Sequence, residues 1–328
     1  LEDGLPKILL QGHADTVPFG NFQGNPLGEV KGDKIYGRGA VDMKGPITAM
    51  ITAFERICSL KKKGFSPVLV LTSDEEAKNF AGIKKFLASS KIPIVLAICG
   101  EPTDFKVYNR FKGAAYFIIT VHGKAAHGSR PYQGKNSIYD ASMIVRLLKE
   151  FSEHMPLIIN KHFKTNNIHT MQSTLNVGRI IGGNKVNTVP ETCSIEFEMR
   201  LVKPFGFYDK KLKEKVLDKI DKDVTFNIKK VFSYNPVEIN ADNKYIEILV
   251  NILKSYGKNT ELSVMTGFSE ANFTNLKNIS TIVFGPGGDC SHMANENVSL
   301  KDLKDYEKDW IKNMLIYHGE PIKKEELH

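Results

Sequence analysis

Two histidines and a scatter of carboxylates stand where a divalent cation could be held. His13 and Asp15, in QGHADTVP, are two residues apart at the end of an apolar run, so in extended chain both side chains leave the same face. By itself that pair also fits a structural hydrogen bond. Gly37-Arg38-Gly39-Ala40-Val41-Asp42-Met43-Lys44-Gly45 opens like a dinucleotide loop, but its sixth position is Asp42 and no third glycine follows in register. An acidic ligand in a glycine-rich turn is the better reading. Asp74-Glu75-Glu76 follows the run PVLVLT, Glu101 follows the run ending at Cys99, and Gly285-Pro286-Gly287-Gly288-Asp289-Cys290-Ser291-His292 follows the run ending at Phe284, without the Gly-Lys-Ser/Thr of a phosphate loop. Histidines with carboxylates make a hard, mixed nitrogen and oxygen donor set suited to zinc, cobalt or manganese. A carboxylate bridging two such ions, with a free carboxylate beside them, is hydrolytic equipment.

These residues need a scaffold that brings distant positions together, and the apolar patterning supplies one. Lys7 to Gln11, Pro67 to Thr72 and Ile92 to Cys99 are continuous apolar runs of the kind that form buried strands, while Pro46 to Leu60 and Asn79 to Ser89 carry apolar residues at helical spacing. Strand and helix in alternation predict an α/β fold, a mostly parallel sheet flanked by helices. Both acidic stretches then sit at carboxyl ends of parallel strands, where open α/β sheets bind ligands. Asp42 follows His13 by 29 residues, Glu76 follows Asp42 by 34 and Glu101 follows Glu76 by 25, each about one strand and its connection, so all four can reach a common edge.

From about Asn109 the pattern changes. Ala114 to Val121 and Thr192 to Leu201 alternate apolar with polar residues, and Asn136 to Glu150 and Tyr208 to Ile220 read as helices, which makes a compact α+β layer. After Asn235 the alternation of buried strand and helix returns, with Lys244 to Tyr256 helical, Ser280 to Phe284 a strand and Leu300 to Tyr317 a last amphipathic helix. The expected organisation is a catalytic domain in two parts, 1–108 and 235–328, with an α+β domain inserted at 109–234.

Composition narrows the classes. At 328 residues, 41% hydrophobic and 25% charged, the chain can bury a core and is neither disordered nor fibrous. No apolar run approaches the ~18 residues that span a bilayer, and Leu1 to Leu10 lack the basic flank and cleavage site of a secretory signal, so the expected address is the cytoplasm, with no membrane partner. The net charge of +8 raises nucleic acid as a partner. However, the lysines lie on amphipathic segments such as Lys61-Lys62-Lys63 and Lys210 to Lys215 with acids mixed in, which is a solvated face, and no nucleic-acid partner is expected. Cys58, Cys99, Cys193 and Cys290 occur singly, fitting neither a disulfide framework nor a cysteine zinc site.

The ordered strings HADTVP, GRGAVDMKG, SDEEA, GEPT, GKAAHGSRP, LNVGRIIGGNKVNTVP and GPGG-x-x-x-H make the chain resemble the acetylornithine deacetylase, succinyl-diaminopimelate desuccinylase and carboxypeptidase G family of dizinc hydrolases, from Gly12 to His292. The resemblance implies a zinc exopeptidase-like catalytic domain with an inserted lid and dimerisation domain. It implies that His13 and Glu101 bind one zinc, that His292 and Glu76 bind the other, that Asp42 bridges the pair, and that the Asp42–Met43 peptide is cis. Asp15 would orient the His13 ring, and Glu75 would be the general base. His127 would reach the active site of the second subunit of a homodimer and stabilise the oxyanion, while Asn187 and Arg200 would contact substrate. The implied reaction is hydrolysis of the amide of a small N-acyl amino acid, of deacetylase or desuccinylase type, in amino-acid biosynthesis. A carboxypeptidase or dipeptidase acting on short peptides is the alternative, and an inactive metal-binding scaffold the remote one. There are departures. Twelve residues precede His13, where relatives carry a further helix and strand, so part of the sheet is expected to be missing. Phe111 stands in Arg110-Phe111-Lys112-Gly113 where many deacylases have His, and Ser269-Glu270 stands where many have Asp second.

Overall fold

The structure is a computed structural model that describes residues 4–60, 63–77, 79–161, 168–240, 243–255, 262–287 and 290–311. The chain divides into two compact units, Leu1–Arg110 with Glu238–His328, and Phe111–Val237. In chain order, the first stretch contains β1 (Lys7–His13), β2 (Glu29–Lys31), β3 (Lys34–Tyr36), α1 (Gly45–Ser59), β4 (Ser66–Thr72), α2 (Ala81–Ser89), β5 (Ile94–Cys99) and β6 (Val107–Phe111). The second unit contains β7 (Gly113–His122), β8 (Ala126–His127), α3 (Ser137–Glu153), β9 (Leu157–Lys161), β10 (Ile168–Gln172), β11 (Thr174–Gly182), β12 (Thr188–Val189), β13 (Thr192–Leu201), α4 (Phe205–Lys215) and β14 (Thr225–Tyr234). There follow β15 (Val237–Glu238), α5 (Lys244–Ser255), β16 (Leu262–Met265), α6 (Glu270–Leu276), β17 (Thr281–Val283), β18 (Asn297–Ser299) and α7 (Leu300–Asp305).

The larger unit is an α/β sheet in the order β15-β6-β17-β5-β1-β4, with β16 also on β6. β1 runs parallel to both β4 and β5, so Gln11 pairs with Cys99 and His13 with Thr72, and β17 runs parallel to β5. All seven residues of β1 are buried, which is why its sequence is a continuous apolar run without alternation. Leu9, Val68 and Ala97 form the core on one face with Phe86 of α2, while on the other face Gly12 lies so close to Met43 that an added Cβ would stand 2.5 Å from the Met43 Cε. The helix expected over Leu300 to Tyr317 is α7, continued by a π-type turn at Tyr306–Ile311; its remainder lies outside the described residues.

The second unit is a four-stranded antiparallel sheet in the order β11-β13-β7-β14. Along β13 buried residues alternate with partly exposed ones, and the buried set (Cys193, Ile195, Phe197, Met199) packs against Ile144 and Leu148 of α3 and Leu212 of α4. Asn136 caps α3 by accepting from the Ile138 amide at 2.9 Å. The helix read over Tyr208 to Ile220 is shorter: α4 ends at Lys215, Val216 leaves helical geometry at φ −123°, and a 3-10 turn follows at Leu217–Lys219. Buried Val216 and Ile220 keep the helical apolar spacing across the break, so the pattern alone does not show it. Among the described residues no helix is long and apolar enough to cross a membrane.

The Leu9 side chain is fully buried, on a strand paired with two parallel neighbours. Leu9→Ala should lower stability by about 2–5 kcal/mol, read as a shift of the urea midpoint; an unchanged midpoint would mean that this core does not hold the sheet.

Candidate metal centre

The site forms at the carboxyl ends of β1, β4 and β5 in the larger unit. His13 ends β1; Glu75 and Glu76 lie in the turn after β4; Glu101 lies just past β5, where the Gly100 amide donates to the Gln11 carbonyl at 3.1 Å. Asp42 comes from the irregular turn Ala40–Lys44 ahead of α1, and the Asp42–Met43 peptide is cis. His292 comes from the loop between β17 and β18, where its backbone is left-handed at φ 63°, an uncommon geometry for a residue with a side chain.

Asp42 is the centre of the arrangement. Its Oδ1 lies 3.2 Å from the His13 Nε2 and its Oδ2 lies 3.2 Å from the His292 Nε2. On the first side the His13 Nε2 is also 3.8 Å from the Glu101 Oε2; on the second the His292 Nε2 is 2.8 Å from the Glu76 Oε1. Donor atoms held ~2.1 Å from one tetrahedral ion stand about 3.4 Å apart, and three of these four separations are close to that. The fourth is a direct hydrogen bond. His13, Asp42 and Glu101 form one group able to hold an ion, and Asp42, Glu76 and His292 form a second; His13, Glu75 and Glu76 form an overlapping third. The Asp42 Oδ1 is buried and faces the His13 Nε2 at 3.2 Å without a well-aligned hydrogen bond, so a cation between them would satisfy both atoms. Geometry and donor chemistry therefore fit two divalent ions sharing Asp42.

Asp15 acts through more than its side chain. The His13 Nδ1 lies 3.0 Å from the Asp15 backbone carbonyl and 3.5 Å from its Oδ1, whereas the carboxylate accepts from the Glu75 and Glu76 amides at 3.2 and 3.0 Å. One residue thus orients the His13 ring and pins the turn bearing two of the acids. Sequence reading missed two further acids. Glu296 is fully buried and accepts from the Asp42 amide, and Glu270, noted only as a departure, is fully buried and bonded to the Thr72 hydroxyl. Neither has a spacing signal to find it by, although Glu270 opens α6 behind its capping residue Ser269.

The electrostatics show a site short of positive charge. Burial opposes a charge on His13, yet hydrogen bonds to Asp42 and Glu101 overcome it and push the imidazole up to about 12. His292 is raised to about 9, chiefly by its bond to Asp42. Burial opposes the charge of Asp42 too, but the two histidines draw its carboxyl down to about 2. Glu75 goes the other way, to about 9, because it is buried and faces the charge of Glu101; Glu101 itself is raised by burial. Burial also raises Glu270, to about 7. Without metal, protons fill the role that cations would take.

The other expected residues lie in the second unit. His127, on β8, pairs with Thr188, and the Gly128 amide donates to the Asn187 carbonyl at 2.7 Å, so His127 and Asn187 are held side by side. The His127 Nδ1 accepts from the Ser129 amide at 3.2 Å, which leaves the proton of the neutral ring on Nε2. Arg200, on β13, is ion-paired to Glu198 at 3.1 Å and is not part of that ladder.

Comparison with known proteins identifies the family. Residues 9–311 match the model of peptidase family M20/M25/M40, and the chain belongs to that family. It is 31% identical over 202 residues to an acetylornithine deacetylase of Buchnera aphidicola subsp. Schizaphis graminum, covering 60% of this chain and 51% of that protein. The match thus spans about half the length of that relative. An acetylornithine deacetylase of Pectobacterium carotovorum is 27% identical over 92% of this chain and 78% of its own. Among solved structures, a tripeptidase of Staphylococcus aureus superposes with a TM-score of 0.74 at 21% identity, over 95% of this chain and 81% of its own, and shares the fold.

The raised groups set a pH dependence. Glu75 holds its proton in the folded metal-free chain from its ordinary 4.5 up to about 9, and the histidines hold theirs from 6.5 up to about 9 and 12. Stability from this proton binding is fully present below the ordinary values and is lost as pH rises through the raised ones. Asp42 contributes in the opposite sense only below its ordinary 3.8. The chelated protein should therefore melt progressively lower between pH 5 and pH 9, and adding zinc at pH 7 should release protons, measured by calorimetry in buffers of different ionisation enthalpy. A flat melting profile with no proton release would contradict the charge balance.

Proposed function

We propose that the chain is a two-metal hydrolase that cleaves the amide bond of a small N-acyl amino acid, of the deacetylase or desuccinylase type used in amino-acid biosynthesis in the cytoplasm. The observation that carries this reading is the division of the Asp42 oxygens between two histidine-carboxylate groups, with Glu75 beside them. The names of the relatives matched across most of this chain favour an acyl amino acid over a peptide. His13 and Glu101 would hold one ion, His292 and Glu76 the other, and Asp42 both, with zinc the expected metal and cobalt or manganese able to replace it. Two bound ions would polarise the amide carbonyl and acidify the attacking water.

The chain's own residues do the rest. With two cations offsetting the neighbouring acids, Glu75 would give up the proton it holds in the metal-free chain; as a carboxylate it takes a proton from the attacking water and passes it to the leaving amine nitrogen, so that the amine departs neutral. Its buried position keeps bulk water from levelling its basicity, and Asp15 holds its backbone amide. Glu75 and its neighbour Glu76 differ in role because only Glu76 bonds His292. His127 offers its Nε2 proton to the developing oxyanion, and Asn187 and Arg200 bind the polar groups of the substrate. We place His127 in the site of a second copy of the chain, in a homodimer formed through the inserted unit. Support comes from the outer strand β11, whose Ile180 and Ile181 are exposed, and from Tyr139 and Val186, also exposed.

Chelation should abolish turnover of N-acetylornithine or N-succinyl-diaminopimelate, and zinc or cobalt should restore it. Glu75→Gln should lower kcat by about 10²–10⁴ with metal content unchanged, while Glu76→Gln should lower metal content; the reverse pattern would exchange their roles. A panel that includes short peptides tests the substrate class, since faster cleavage of peptides would make the enzyme a peptidase. For His127, mixing His127→Ala with Glu75→Gln protein should regenerate activity as subunits exchange. Confirmed exchange without recovery would remove His127 from the partner's site.

A further inference from the structure

The two loops that carry Asp42 and His292 are joined by one buried carboxylate. Glu296 is fully buried, and its Oε1 accepts from two successive amides, Val41 and Asp42, at 3.1 Å each. Its Oε2 takes the Arg38 Nη1 at 2.6 Å, and its backbone carbonyl accepts from the Gly37 amide at 3.2 Å. Main chain and side chain together thus clasp the turn from Gly37 to Asp42. Glu296 lies four residues beyond His292 in a short loop tied shut at its base, where the Cys290 thiol donates to the Asn297 carbonyl at 3.1 Å. Arg38 is buried as well, its side chain 4% exposed, with its guanidinium over the Phe22 ring.

Both Glu296 oxygens are committed, so it is no ligand, and Arg38 offsets its charge, so it adds no free anion to compete for cations. The ligands differ in how they are held. His13 and Glu101 extend from strands that pair directly, which fixes their separation through the sheet. Asp42 and His292 come from irregular segments, and the clasp is a direct connection between them. We propose that Glu296, held by Arg38, is a positioning residue that sets Asp42 relative to His292 and so governs the affinity of the second ion. This rests on the two-metal reading above.

Removing one member of a buried ion pair strands the other, so the test replaces both. Arg38→Met with Glu296→Leu removes the charges and the acceptor; Arg38→Met with Glu296→Gln removes the charges and keeps an acceptor oxygen. Stepwise cobalt affinity, by competition with a chromophoric chelator, is read beside the melting temperature of each metal-free protein. The Leu pair should bind the second ion about 10- to 100-fold more weakly with a smaller effect on the first, and the Gln pair should recover most of that loss at a similar melting temperature. Glu296→Asp, which keeps the charge on a shorter arm, should also weaken the second ion and serves if the Leu pair does not fold. Wild-type affinities for both ions in these variants would overturn the proposal, as would an equal loss of both ions in step with melting temperature. Wild-type protein that binds no second ion would overturn the two-metal reading and this inference together.

Discussion

A carboxylate 3.2 Å from each of two histidines is the arrangement on which the larger unit turns. Four acids converge there, and packing Asp42, Glu75, Glu76 and Glu101 into one partly buried site is unfavourable unless positive charge is brought in with them. That need accounts for the raised imidazoles and the raised carboxyl of Glu75, which are two responses to the same deficit. It also accounts for the care with which the backbone is held around the site. Asp15 secures the turn after β4, Glu296 secures the turn before α1, and Gly12 and Gly100 let Met43 and Met50 close against the sheet behind them.

Much of this is legible in the sequence because burial on both faces leaves a plain mark. β1, β4 and β5 are mostly apolar runs, and His13, which ends β1, and the acids that follow β4 and β5 have little alternative to the strand ends. What the sequence hides is contact between residues with no local pattern. Arg38 and Glu296 are 258 positions apart, and neither belongs to a repeat of apolar spacing. The strands β2, β3 and β18 pass unnoticed because each has three residues, and β2 is wholly exposed, so hydrophobic alternation has nothing to act on. The role expected of Asp15 depended on its side chain, whereas the nearer contact to His13 is its backbone carbonyl, which no residue type announces.

The family strings carried the reading further than physics alone. Composition and period lead to an α/β sheet with acids at its edge; the separation of Glu75 from Glu76, or of Asp42 from any other acid in a glycine-rich turn, came from resemblance. In the structure these acids also differ in their surroundings. Glu76 touches His292, while Glu75 is buried against Glu101, and among the described residues Asp42 presents one oxygen to each imidazole.

Strand order has a consequence for how the chain assembles. β17 lies between β5 and β6, yet it is made after the whole second unit. As the polypeptide leaves the ribosome, β1, β4 and β5 can pair early, but the outer side of β5 keeps its amides and carbonyls unsatisfied while more than a hundred further residues are added. Filling that gap is a long-range closure, slow compared with local helix and hairpin formation. The inserted unit has its own core and can fold in the interval, while the partly built sheet waits with an open edge exposed to aggregation.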